Sequence, residues 1–398
     1  MEEMLKYSNL KLKATDLRFK RYLIDEIHWG DRLIGISGAR GTGKTTLMLQ
    51  HLKSTYGSSG TALYVTLDNF YFTKNRLFNF IEQFYLDGGK VLYLDEVHRY
   101  PDWSQDIKNI YDIYDEIKIV FSGSSALQMF KLQADLSRRA AVYDLHELSF
   151  REYLTLAHKK AFDKYTLEEI IKNHIDIAGE ISKKVDVMPE FKNYLKQGAY
   201  PFFVETKGRF FERLVSTVNL IIETDLPIID KINYQTTYKL RKLVALLADA
   251  VPFKVNISDL SRKVSLSRDS LLRLLDILDK ANLIKLIRQE GAAGGYLTKP
   301  DKIYLNNASL LMALSSTDRS IEGTVRETFF MNQLIKDHRV ASARKGDFLI
   351  DKKYLFEVGG ANKTYDQIAG IKNSYIAADN LIVGYKNKIP LWLFGFLY

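Results

Sequence analysis

The chain has 398 residues, of which 46% are hydrophobic and 26% charged, and it contains no cysteine. That length exceeds what one hydrophobic core organises, so two or more domains are expected. Wholesale disorder, disulfide scaffolds, thiolate metal sites and cysteine nucleophiles are excluded.

The opening MEEMLKYSNL lacks the basic-then-apolar layout of a signal peptide. No apolar run approaches the roughly 18 residues that cross a bilayer, so a cytoplasmic protein without membrane contact is expected. Along the first third, Arg32–Ser37, Ala62–Thr66, Lys90–Asp95 and Lys118–Ser122 read as short buried strands. Helix periodicity fills the gaps, as at Thr45–Leu52 and Leu77–Phe84. This alternation predicts an α/β fold with a parallel sheet, whose ligand sits beyond the carboxyl ends of the strands.

From Ser149 the pattern changes to long helices over Arg151–His158, Leu167–Val187 and Phe191–Gln197, broken by a turn at Gly198–Pro201. Helix Ile257–Val264, a short turn, helix Ser267–Ala281 and a glycine-rich hairpin at 291–295 have the order of a winged helix-turn-helix. The last stretch, from about Ser320, reads as a small α/β unit. The expected divisions are 1–148, 149–250, 251–318 and 319–398.

Directly after the first strand stands Gly38-Ala39-Arg40-Gly41-Thr42-Gly43-Lys44-Thr45-Thr46, a full G-x-x-x-x-G-K-[ST] pattern. Glycines let consecutive backbone N–H groups turn into one concavity that cradles phosphate oxygens, and the following helix adds the positive end of its dipole. Lys44 is placed to reach the terminal phosphates, and the Thr45 hydroxyl to join a Mg²⁺ shell. The third strand ends in Asp95-Glu96. Asp95 suits an outer-shell Mg²⁺ ligand, and Glu96 suits a group that orients or deprotonates the attacking water. At the end of the fourth strand Ser124, with Ser122 as runner-up, is the candidate for contacting the γ-phosphate or the lytic water.

These residues, with Val97-His98-Arg99-Tyr100-Pro101-Asp102-Trp103 and Leu145-His146-Glu147-Leu148-Ser149-Phe150, resemble the bacterial and archaeal AAA-type ATPases that carry a C-terminal domain of unknown function. The resemblance implies ATP as the nucleotide and a γ-phosphate-sensing arginine at Arg139, with Arg138 in place of the family's glycine. Whether that arginine acts within one subunit or across an oligomer interface stays open. Arg40 also matches the family's loop, facing either nucleotide or the N-terminal segment.

Residues 1–150 balance 19 Lys+Arg against 19 Asp+Glu, whereas residues 151–398 hold 38 against 29, so the whole net charge of +9 lies in the later part. This bias fits DNA as a partner of the basic C-terminal part, or a merely soluble surface. On the second helix of the winged-helix order, Leu271, Leu272, Leu274, Leu275, Ile277 and Leu278 cover well over half the surface, and Arg268 and Arg273 are offset by Asp269, Asp276 and Asp279. A structural module is therefore expected there rather than a DNA reader. The abundant Tyr and Phe fit core packing better than base stacking.

The C-terminal unit resembles restriction-endonuclease-like domains, with Glu327, Asp347 and Glu357 on the expected carboxylate positions. The lysine two residues after the glutamate is replaced by Gly359, with Lys363 nearby, which points to an inactive nuclease fold. The expectation is thus an ATP-binding, Mg²⁺-dependent hydrolase whose nucleotide state drives its C-terminal domains. The alternatives are a nucleotide-gated DNA- or protein-binding module with little hydrolysis, or an ATP-dependent nuclease.

Overall fold

The computed structural model describes residues 1–123, 136, 138–206, 208–227, 232–250, 256–291, 298–316 and 322–398. The chain forms two compact units, Met1–Glu147 and Leu148–Tyr398. Among the described residues no helix is long and apolar enough to cross a membrane.

In the first unit helix α1 (Glu2–Ala14) precedes β1 (Leu33–Ser37), α2 (Lys44–Thr55), β2 (Ala62–Thr66), α3 (Leu77–Leu86), β3 (Val91–Asp95), α4 (Trp103–Ile113), β4 (Lys118–Ser122) and β5 (Ala141–Asp144). The strands form one all-parallel sheet in the order β2-β3-β4-β1-β5. Strands β1 to β4 are continuous apolar runs buried on both faces, as parallel sheets covered by helices require. Leu63, Leu92, Leu94 and Phe121 from the strands share one core with Phe80 and Ile81 of α3 and Ile107 and Ile110 of α4. Each such side chain contributes about 1.5–3 kcal/mol on full burial. The sequence pattern gives no sign of β5: its four residues alternate between half-buried and exposed, so the apolar run that marks the other strands is missing.

Register decides what happens at the carboxyl edge. Ile36 pairs with Ser122 and Ser37 with Asp144, while Leu94, just before Asp95, pairs with Phe121. Four polar side chains, Ser37, Asp95, Ser122 and Asp144, therefore end neighbouring strands at the same level.

The second unit opens with α5 (Phe150–His158) and α6 (Leu167–Lys184), each started by a reciprocal capping box, Ser149 with Glu152 and Thr166 with Glu169. The single helix expected over Leu167–Val187 stops at Lys184, and a new one runs Val187–Asn193. Pro189 explains the break: its ring would clash with the carbonyl four residues back, at Val185, which is extended instead. Helix α7 (Phe210–Leu220) follows, then α8 (Tyr234–Asp249), α9 (Ile257–Val264) and α10 (Arg268–Lys280), then an antiparallel pair of β6 (Ile284–Ile287) with β7 (Lys302–Leu305). The glycine-rich hairpin at 291–295 lies mostly outside the described residues. The chain closes with α11 (Glu322–Leu334) and a separate mixed sheet of β8 (Val340–Ser342), β9 (Phe348–Ile350), β10 (Tyr354–Gly359), β11 (Ser374–Ala378) and β12 (Lys388–Pro390), in the order β12-β11-β10-β9-β8. The protein is α/β overall.

Candidate functional site

The segment between β1 and α2 is a loop that only its glycines permit. Gly38, Gly41 and Gly43 have φ of 144°, 88° and 98°. A Cβ on Gly38 would sit 2.4 Å from the Leu145 carbonyl oxygen, so the loop is also pressed against the chain that leaves β5. Within the loop, the Thr42 hydroxyl donates to the Ala39 carbonyl at 2.9 Å. The Lys44 ammonium, buried with the rest of its side chain, donates to the carbonyls of Gly38 (2.8 Å) and Ala39 (2.9 Å). Burial pushes the Lys44 ammonium below its ordinary value, and Glu96, Asp95 and Asp144, in that order, pull it back. Three acids thus face this lysine. Arg40, in the loop, is half-buried, and Thr46, in the first turn of α2, is exposed.

Asp95 is the hub. Its Oδ2 accepts the Thr45 hydroxyl at 2.6 Å and the Tyr64 hydroxyl at 2.8 Å, and its Oδ1 accepts the Ser122 hydroxyl and the Glu96 N–H. Four donors fix the carboxylate in place and tie β2, β3, β4 and α2 together at one point. Glu96 follows with φ of 52°, a left-handed conformation that costs a non-glycine residue about 1–3 kcal/mol. This kink takes Glu96 out of the strand, and its carboxylate lies 3.2 Å from Nε2 of the fully buried His98.

Of the residues expected here, Lys44, Thr45, Asp95 and Glu96 converge at the carboxyl edge of the sheet. Ser124 lies outside the described residues; the runner-up, Ser122, is on Asp95. Arg139 is elsewhere, its guanidinium held in two bonds by Asp112 at 2.9 and 3.0 Å, near the end of α4.

Two site residues carry no motif. Tyr64 is one, and the only hint of it is a hydroxyl in a fully buried strand, which needs a partner. The other is Arg21, 4% exposed, whose guanidinium donates to the Thr42 carbonyl of the glycine loop and to the carbonyls of His146 (2.7 Å) and Glu147 (3.0 Å). It clamps the loop to the segment after β5.

A hard, oxygen-liganded Mg²⁺ fits this donor set. Thr45 and Asp95 already meet through oxygen atoms, and such an ion takes only one or two protein oxygens beside those of a phosphate ligand.

The second unit holds a different cluster. Lys302 on β7 donates to Glu327 (3.1 Å) and Asp347 (3.2 Å), and the Tyr304 hydroxyl donates to Glu327 at 2.5 Å. Burial pushes the Lys302 ammonium down, but the two carboxylates outweigh it and the net displacement is upward. On β10, Glu357 pairs with Lys363 at 2.5 Å, and burial raises its carboxyl above the usual range. The lysine absent from position 359 is replaced in space. A Cβ on Gly359 would meet Cβ, Cγ and Cδ of Lys363 at 2.8–2.9 Å, so the shaft of Lys363 runs over the glycine to reach Glu357. Each carboxylate of the cluster therefore has an ammonium from the chain itself.

Residues 30–154 match the AAA domain family, and residues 188–320 match a family described as Domain of unknown function (DUF8612). The uncharacterized protein MJ1637 of Methanocaldococcus jannaschii is 26% identical over 413 aligned positions, covering 96% of this chain and 87% of that protein. Among solved structures, AMPPCP-bound DnaA from Aquifex aeolicus is similar at 14% identity and a TM-score of 0.29, covering 65% of this chain and 86% of that one. The C. elegans protein PCH-2 is similar at 18% identity and a TM-score of 0.25, over 40% of this chain and 44% of PCH-2, so less than half of its length is spanned. The first of the two family matches takes in the glycine loop, both acids and every strand end that holds them; the N-terminal part of this chain is an AAA domain with a P-loop, followed by a domain of unknown function.

Proposed function

We propose that the protein binds ATP with Mg²⁺, hydrolyses it, and uses the change in nucleotide state to alter what its C-terminal part does. One observation carries the reading: the 2.6 Å bond from Thr45 to an Asp95 carboxylate already locked by Tyr64 and Ser122. It joins the loop that would cradle the phosphates to the strand that carries Glu96. Preorganised groups of this kind lower a barrier because they need no rearrangement as charge develops.

In this reading the N–H groups of residues 38–46 and the Lys44 ammonium bind the phosphate oxygens, the ammonium exchanging the Gly38 and Ala39 carbonyls for them. Thr45 and Asp95 would hold Mg²⁺, which when bound neutralises phosphate charge. Glu96, turned out of the strand beside them, would orient the attacking water and take its proton. Arg139 would serve as a phosphate sensor only by leaving Asp112. We assign the C-terminal carboxylates no cleavage role, since Lys302 and Lys363 already compensate them; that sheet would act as a receiver of the nucleotide signal.

The test is steady-state ATPase and ATP affinity for two variants. Lys44→Ala is expected to lose nucleotide binding. Glu96→Gln is expected to keep ATP affinity within about threefold and to lose turnover by about 10²–10⁴-fold. Undiminished hydrolysis in Glu96→Gln would remove its assigned role.

A further inference from the structure

We propose that the exposed face of α8, together with the adjoining start of α10, is a docking surface for single-stranded nucleic acid. Most aromatic side chains of this protein are buried in its cores, as the sequence leads one to expect. Tyr234 and Tyr238 are not: they are 87% and 64% exposed. Four residues apart on a helix, their rings lie on one face, roughly 6 Å apart at Cβ. Two open rings at that separation offer stacking surfaces to unpaired bases, whichever bases they are.

Charge on the same face selects a polyanion. From Tyr234 to Ala248 the helix contains Lys239, Arg241 and Lys242 and no acidic residue; Arg241 is ion-paired with Glu223, which leaves Lys242 as the cation beside the two rings. Lys242 is exposed and stands one further turn along from Tyr238, on the same side. Lys239 donates to the Ser265 carbonyl at 3.1 Å, which holds α8 against the turn between α9 and α10. Where the start of α8 meets α10, a cavity of about 270 Å³ is lined by Asn233, Thr236, Leu266, Ser270 and Arg273, with no acid among its lining residues. Hydroxyls and a guanidinium around an opening of that size suit a backbone phosphate beside the two rings.

The alternative element for duplex recognition is poorly suited. All six apolar residues of α10 from Leu271 to Leu278 are buried, and the exposed start of the helix sets Asp269 beside Arg268, so it offers a duplex groove no uncompensated positive face. Unpaired bases stacked on α8, with their phosphates running toward Arg273, need no such face.

The experiment uses the full chain without nucleotide, so its outcome is independent of the ATPase reading. Binding of a fluorescent oligothymidylate of about 30 nucleotides is followed by anisotropy at low and moderate salt. Wild-type protein is expected to bind in a salt-dependent manner. Tyr234→Ala with Tyr238→Ala is expected to weaken binding by about tenfold or more, and Tyr234→Phe with Tyr238→Phe to restore it. Lys242→Glu with Arg273→Glu is expected to flatten the salt dependence. All four side chains are on the surface, and unchanged circular dichroism would confirm folding. Absence of binding at low salt, equal binding by the alanine variant, or a preference for duplex that ignores the tyrosines would overturn the proposal. So would self-association of the wild type that the alanine variant abolishes without any effect on oligonucleotide.

Discussion

Replacing Arg21 probes whether the glycine loop is shaped by its own sequence or by a clamp from outside it. Arg21→Ala strands the carbonyls of Thr42, His146 and Glu147 in a nearly solvent-free site. If each costs about 1 kcal/mol, the first unit loses about 3 kcal/mol. For a unit of this size that lowers Tm by roughly 6–12 °C. Because one of the three carbonyls belongs to the loop, ATP affinity is expected to fall with stability. Arg21→Lys keeps the charge but not the planar fork, so it is expected to recover only part of both losses. Differential scanning calorimetry and titration of a fluorescent ATP analogue measure the two effects. An Arg21→Ala protein within about 1 kcal/mol of wild type, with unchanged nucleotide affinity, would refute the clamp.

Other perturbations test neighbouring contacts. Tyr64→Phe removes one of the donors on Asp95 and is expected to cost about 1.5–3 kcal/mol and to raise the Mg²⁺ concentration needed for half-maximal ATPase; an unchanged Mg²⁺ curve would count against the hub. Gly38→Ala forces a Cβ to 2.4 Å from the Leu145 carbonyl, so nucleotide binding is expected to vanish, whereas the same change at the unobstructed Gly57 leaves it intact. His51, stacked on Trp29 with ring centroids 3.5 Å apart, has its pKa lowered from 6.5 to about 4, first by burial and then by Lys20 and Lys118. The unfolded chain therefore binds more protons between those values, so this stability is present above pH 6.5 and is lost as pH falls toward 4. After allowance for screening at its partly open edge it amounts to about 2 kcal/mol. His51→Phe should narrow the gap in Tm between pH 7 and pH 4.5, and an identical pH dependence in the two proteins would contradict this.

Much of the AAA domain was legible without coordinates, because its signals are local. The glycine loop needs contiguous residues with special backbone angles, and Asp95-Glu96 needs only the end of an apolar strand. Capping and leucine periodicity likewise mark α9 and α10 by their immediate neighbours. The break at Pro189 was legible in principle, since the proline acts on a carbonyl only four residues back.

Other features depend on partners far away in the chain. Arg21 meets carbonyls 21, 125 and 126 residues distant, and Tyr64 meets an acid 31 residues on, so no spacing rule reveals either. Strand β5 takes its place from pairing with β1, and its own four residues carry too little apolar character to announce it. The same holds for Lys363, whose side chain fills the space that Gly359 leaves open. Composition and short-range pattern therefore determined the nucleotide loop and its acids. Only the folded chain decided what holds that loop in shape and which charges meet, because those depend on side chains that packing brings together from distant positions.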